Sequence, residues 1–486
     1  MATGAGSTST PAVSESDPQR NADLAHALLF SLAAALGGFL FGYDTAVING
    51  AVKAIQSRFE AGTAATGLVV SLSLIGAAGG AWLAGGLADR LGRIWVMRIA
   101  AVLFIISAIG SALPFSIVDL AAWRVLGGIA IGVASVISPA YIAEIAPAAY
   151  RGRLGSMHQL AIVLGIAISA LVNYALASAA GDSTKPLGPL DAWQWMLAVA
   201  AVPALLYLVM SYTIPESPRF LVAKGRTETA RKILGDLEGG DHDQVQARLE
   251  EIRTSLNIEK RSRVRDLFTG SNSMIPLVLL GVGLAALQQF VGINVIFYYS
   301  SSLWQSVGIG EDKSLLISVV SAVVNIVGTF VAIAVIDKIG RRPLLAIGSV
   351  GMAISLGTAS WCFSHATGIS ASVSGTGSSA TLPSPYGTIA LVAANAFVFF
   401  FALSWGPVVW VLLSEMFPNR SRAAAVAVAT SANWIANFAV TVTFPSFSAA
   451  NLSITYAGYA AMAVISLFVV LKFVKETNGR TLESNA

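Results

Sequence analysis

The 486 residues are 55% hydrophobic and only 12% charged, with a mean hydropathy of +0.71. A soluble globular domain is about a quarter charged, so composition excludes a water-soluble fold and implies a chain built for lipid. The net charge of +4 reflects basic loops, not nucleic-acid binding, and the lone Cys362 excludes a disulfide framework or a cysteine-based metal cluster.

Residues 1–23 are polar and lack the basic start and short apolar core of a cleavable signal; they are read as a disordered cytoplasmic tail. A bilayer core takes about 20 apolar residues per helix. Six such runs fall near 27–50, 65–87, 95–116, 118–142, 155–177 and 192–212, giving an N-terminal six-helix bundle over 24–214. The charged stretch 215–273 predicts short amphipathic helices in a cytoplasmic linker. Six more runs, near 274–300, 313–335, 342–364, 387–413, 422–446 and 453–474, form a C-terminal bundle over 274–474, followed by a short cytoplasmic tail over 475–486. The fold class is an all-α membrane protein with twelve transmembrane helices in two bundles. A Ser/Gly-rich outer loop near 365–386 is expected to be mobile.

Lys and Arg set the orientation. Of 30 basic residues, only Lys53, Arg58, Lys185 and Lys313 fall in loops on one side, and Arg124 lies inside the fourth span. The other 25 lie in opposite loops, tails or span ends, so both termini are expected to be cytoplasmic.

Two polar features stand out inside the spans. Asp44 sits in FGYDTAVING within the first, where an ionised group costs about 2.5–3.5 kcal/mol on insertion scales. Its candidate partner is Arg124 of the fourth span; the pair is either a static tie between two helices or a proton-sensitive switch. Gln288, Gln289 and Asn294 recur within seven residues of the seventh span, followed by Tyr298 and Tyr299. Gln288 and Asn294 share a face only if the helix breaks locally, which Gly292 allows. Amides both donate and accept, as reading a ring of hydroxyls requires, yet they equally tie helix to helix.

The halves echo each other. Asp89-Arg90-Leu91-Gly92-Arg93 between spans two and three matches Asp337-Lys338-Ile339-Gly340-Arg341 between spans eight and nine. EIAPAAYRGR (144–153) after span four is echoed by EMFPNRSR (415–422) after span ten. Two parallel halves around a midplane cavity are a transporter architecture. The charged loops are read as latches at the inner ends, with topogenic basic loops as the plainer account.

The motifs GGFLFGYD, GGLADRLGR, RGRLGSMHQL, PESPR, QQFVGINVIFYYS, DKIGRRP, WGPVVWVLLSEMFP, NWIANF and KETNGRTLE occur in order along the chain. On these residues it resembles the sugar porters of the major facilitator superfamily over nearly its whole length. It looks most like actinobacterial glucose permeases, with xylose–proton symporters and facilitative glucose carriers more distant. The resemblance implies that Gln159, Gln288, Gln289, Asn294 and Asn325 hydrogen-bond a monosaccharide. Trp410 and Trp434 would wall the site, with Asn433, Phe41 and Gly406 nearby. Ile166 stands where xylose carriers have a second glutamine, which favours a hexose. Symporters of this kind carry Asp at position 44, where facilitative carriers have Asn, so Asp44 and Arg124 are assigned to proton coupling.

The resemblance further implies a cytoplasmic gate of Asp89, Arg90, Arg93, Glu144, Arg151, Arg153, Glu216, Asp337, Arg341, Arg342, Glu415 and Arg422. One departure is Lys475, where the family's last motif often has Pro. No HExxH, paired intramembrane aspartates or nucleophile–base set is present, and the four histidines are scattered, so no enzyme, cofactor or metal is expected. The function expected is import of a monosaccharide, D-glucose foremost, with a proton, by a monomer in the lipid of the plasma (inner) membrane. A uniporter, or a symporter of galactose, xylose or inositol, is the alternative.

Overall fold

The computed structural model describes residues 18–146, 151–237, 242–259, 274–366, 381–417 and 422–477. Most of the expected N-terminal tail, outer loop and C-terminal tail lies outside them. The first helix, Pro18–Phe59, begins inside the stretch expected as tail. It is followed by Thr63–Leu91, Arg93–Ala112, Ile117–Ile145 and Arg151–Ala180. The sixth span is two stacked pieces, Ala192–Ala198 and Ala201–Met210. A two-residue hairpin pairing Pro186–Leu187 with Leu190–Asp191 precedes it. The third span ends at Ala112, four residues before its expected end, because the Ser116 hydroxyl accepts from the Asp119 amide and starts the next helix.

The linker folds as Pro218–Ala223, Thr227–Leu237 and His242–Glu259, whose Leu221, Ala230, Leu234, Val245, Leu249 and Ile252 form a small core of their own. Ser217 caps the first of these helices and Pro218 occupies its first turn.

The seventh span breaks where Gly292 allows it: Met274–Phe290 and Ile293–Ser306 meet at this residue, whose φ of 82° lies in the left-handed region. The eighth and ninth spans are Glu311–Ile339 and Arg341–Ser364. The tenth is also broken, into Tyr386–Leu403 and Trp405–Met416 about Ser404. The last helix, Arg422–Phe473, runs 52 residues but leaves helical geometry at Asn451 (φ −164°, ψ 106°). Among the described residues 11 helices are long and apolar enough to cross a membrane. Dividing the last at Asn451 makes twelve spans.

The repeat seen in sequence is exact in backbone. Gly92 has φ 97° and ψ 164°, and Gly340 has φ 93° and ψ 163°. Each lets one helix end and the next begin without an intervening loop. Within the first half, spans one and five approach closely because Gly42 faces the Ile162 carbonyl and Gly38 faces His158. Between the halves, span two packs on the last helix, span five on span eight, and span one on the outer piece of span seven.

Candidate functional site

The broken seventh span gathers the amides. Asn294 Nδ2 donates to Gln289 Oε1 over 2.6 Å, and Gln289 Nε2 to Asn433 Oδ1 over 3.2 Å. Asn433 Nδ2 donates to Gln288 Oε1 over 2.8 Å and to the Ala285 carbonyl over 2.9 Å. Gln288 Nε2 ends the relay on the carbonyls of Trp405 (2.7 Å) and Gly406 (3.2 Å), just past the break in the tenth span. Four amides from three helices thus satisfy one another, with Gln288, Gln289 and Asn433 buried and Asn294 half-buried.

Aromatic surface adjoins the relay. The Phe41 ring of span one lies 5.5 Å from that of Trp434, the residue after Asn433. Trp434 is only 5% exposed, and its indole Nε1 has no hydrogen-bond partner among the described residues. A buried donor left unmatched is costly, so this N–H is open to a polar partner. Of the other residues expected here, Asn325 and Ile166 are buried on spans eight and five, and Gln159 and Trp410 are half-buried on spans five and ten.

Asp44 and Arg124 do meet. Arg124 Nη1 donates to Asp44 Oδ1 over 2.8 Å, and Nη2 to Ser73 Oγ over 3.3 Å. Tyr298 of the second half lies beside Thr45 and within electrostatic reach of both partners. The charge pair and the amide relay are linked through single turns of two elements and the residues in contact with them. Phe41 precedes Asp44 by a turn on span one, and Asn294 precedes Tyr298 by a turn on span seven.

The inner-end residues pair within each half. Arg93 Nη2 reaches Glu144 Oε1 at 3.0 Å, and Arg341 Nη2 reaches Glu415 Oε1 at 2.9 Å. Glu216 accepts from the backbone amides of Arg93 (2.9 Å) and Ile94 (3.3 Å). Glu476 accepts from those of Arg341 (3.0 Å) and Arg342 (2.9 Å). Each carboxylate caps the positive end of the helix that follows the repeated glycine. Ser217 then donates to Glu144, as Thr477 does to Glu415. Asp89 and Asp337 are exposed partners of Arg93 (3.5 Å) and Arg341 (3.0 Å), and Arg90 is exposed. Sequence adjacency pointed to Arg151, Arg153 and Arg422 as partners of Glu144 and Glu415. Their side chains lie outside the described residues.

Glu476, Ser217 and Thr477 escaped the sequence reading. A third echo was available: Glu216-Ser217 and Glu476-Thr477 each follow the last span of a half. Also missed was a cluster at the opposite end of the bundle, in which Lys53 Nζ lies 3.1 Å from Asp182 Oδ2 and 2.6 Å from Glu311 Oε2. Burial of Asp182 opposes its ionisation. Bonds from the Thr184 amide and hydroxyl and from Lys53 outweigh that and hold the carboxyl at about 2, below the ordinary range.

Twelve spans in two repeated halves, with a buried charge pair in the first and a relay of amides in the second, define a membrane carrier. A family model described as sugar (and other) transporter matches residues 30–486, and the chain belongs to that family. It is 54% identical over 473 residues to the glucose transport protein of Synechocystis sp., covering 97% of this chain and 99% of that one. It is 39% identical to the D-xylose-proton symporter of Escherichia coli (strain K12), with 93% and 94% covered. The partially occluded inward open structure of the E. coli xylose transporter XylE superposes with a TM-score of 0.79 at 37% identity, covering 94% of this chain and all of that one. The same proton:xylose symporter bound to 6-bromo-6-deoxy-D-glucose gives 0.78 at 37% identity, with 95% and 98% covered.

Proposed function

We propose that this chain imports D-glucose together with a proton by alternating access, as a monomer in the plasma membrane with both termini cytoplasmic. The observation that carries the reading is the join between the amide relay and the Asp44–Arg124 pair through single turns of spans one and seven. Kinship to a glucose transport protein and to proton-coupled xylose symporters supports substrate class and coupling.

In this reading Gln288, Gln289, Asn294 and Asn433 exchange amide–amide bonds for bonds to sugar hydroxyls. Each exchange nets only about 0.5–1.5 kcal/mol, so the sugar is held yet released. Gln159 and Asn325 complete the ring of polar contacts, Trp434 Nε1 donates to a further hydroxyl, and Phe41, Trp410 and Gly406 shape the walls. Ile166 offers an aliphatic surface in place of another amide.

A proton on Asp44 removes the charge that holds Arg124. Arg124 then keeps Ser73 and turns to other acceptors, and the tie between spans one and four within the first half loosens. The two halves, 24–214 and 274–474, rock about the sugar while the linker over 215–273 spans them. The inner carboxylate–arginine clusters, with Arg90, Arg151, Arg153 and Arg422, hold each half's inner end in shape and close the cytoplasmic side when the carrier faces outward.

The test is uptake of labelled D-glucose into proteoliposomes with an imposed inward proton gradient. The reading expects transient accumulation above the outside concentration, abolished by a protonophore. Equilibration without accumulation would make the protein a uniporter and Asp44–Arg124 a static tie.

A further inference from the structure

Positions 41, 45, 49 and 53 lie on one stripe of the first span, four residues apart. All four reach across to the second half. Phe41 meets Trp434, and Thr45 meets Tyr298. Asn49 Nδ2 donates to Ser318 Oγ over 3.0 Å, and its Oδ1 accepts from the Ser301 amide over 2.8 Å. Lys53 Nζ donates to Glu311 at the start of span eight over 2.6 Å and to Asp182 over 3.1 Å. Glu311 in turn accepts from the Ser183 amide over 2.9 Å, so the loop after span five joins the same cluster.

Polarity along the stripe rises from the sugar wall outward: an aromatic pair, a hydroxyl pair, an amide bridge, then an ion pair. At the opposite end the ion pairs named above stay within each half. The bonds along this stripe therefore hold the halves together at the outer end, where Lys53 lies.

We propose that this stripe is the outer gate, and that Lys53, bridged to Glu311 and Asp182, is the latch that must form for sugar to leave inward and break for sugar to enter. The proposal rests on the carrier reading above and names residues that set which side the site faces. Asp44, beside Thr45, ties the proton to the same helix. The latch is built to be reversible: the Lys53 side chain is 44% exposed, so water competes for it when the seam opens, whereas Asn49 beneath it is 4% exposed and shielded.

Shielding of position 49 gives the readout. Asn49→Cys in a Cys362→Ser chain is labelled on intact, de-energised cells with a membrane-impermeant charged maleimide, with no sugar present. Lys53→Ala and, separately, Glu311→Gln are added to this reporter. Each is expected to raise the labelling rate about twofold to fivefold at equal surface protein, equivalent to about 0.4–1 kcal/mol for a partly exposed ion pair. The double variant should label no faster than the faster single, because both remove the same bridge between the halves, Lys53 to Glu311. Unchanged rates in both singles would overturn the latch and leave a static outer tie. Should Lys53→Ala fail to reach the surface, Glu311→Gln decides alone, since its amide oxygen still accepts from Ser183. The reading needs neither sugar nor proton flux, so failure of symport and failure of the latch are separable.

Discussion

Arg124 and Asp44, 80 positions apart in the chain, sit 2.8 Å from one another between spans four and one, with 2% and 9% of their surfaces exposed. A buried pair of this kind gives no assured net stability, because desolvation of both charges offsets their attraction. In the proposed reading, its place near the amide relay is explained by what happens when a proton arrives. Neutralising Asp44 weakens the tie at the helix that carries the cross-half stripe.

Asp44→Asn should therefore separate two activities. Exchange of labelled glucose across the membrane at equal concentrations is expected to persist, because Asn still accepts from Arg124. Proton-driven accumulation is expected to fall to an inside-to-outside ratio near one. Loss of exchange as well as accumulation would mean that the carboxylate serves structure only.

Gln288→Ala should weaken binding and transport together. The substitution leaves the Asn433 Nδ2 bond unmatched and removes the donor to Trp405 and Gly406. A buried group left without its partner costs about 1–3 kcal/mol, so the glucose dissociation constant should rise by about tenfold or more. Tryptophan fluorescence titration of purified protein reads this directly; an unchanged constant would remove Gln288 from the site.

Gly292→Ala is expected to damage the site without touching a sugar contact. A residue at φ 82° with a side chain is strained by about 1–2 kcal/mol, and the new Cβ would stand 2.8 Å from the Tyr459 ring. Straightening the break carries Asn294 away from Gln289. Both the melting temperature and glucose affinity should fall, whereas Gly283→Ala, where a Cβ meets open space, should change neither.

Asp182 supplies a pH signature with a definite sign. Its folded value, about 2, lies below the roughly 3.9 of a free carboxyl. The stability it contributes is present above that ordinary value and is lost as pH falls through the folded one. The melting-temperature gap between the parent and Asp182→Asn should stay constant from about pH 8 to 5 and shrink from about pH 4 toward 2. A gap that closes between pH 8 and 5 would contradict the assignment.

Much of this was legible in the sequence where chemistry is local. Gly292 between clustered amides announced the break in span seven, and the Asp–basic–x–Gly–Arg repeat announced two equivalent turns, which Gly92 and Gly340 make with nearly the same backbone angles. Contacts made across long separations were not. Lys53 and Glu311 are 258 positions apart, and Asn49 and Ser318 are 269 apart, so nothing in either neighbourhood hints at the other. Arg93, 51 positions before Glu144 and on another helix, reaches it after the turn at Gly92, a pairing that Glu144's sequence neighbours do not suggest.

The central claim is that a proton enters together with glucose through Asp44. External pH is recorded in a lightly buffered suspension of de-energised cells expressing the protein while D-glucose is added, with vector-only cells as control. The account predicts transient alkalinisation outside, absent from Asp44→Asn cells that still exchange glucose. Carrier-dependent entry of labelled glucose with a flat pH trace would contradict it.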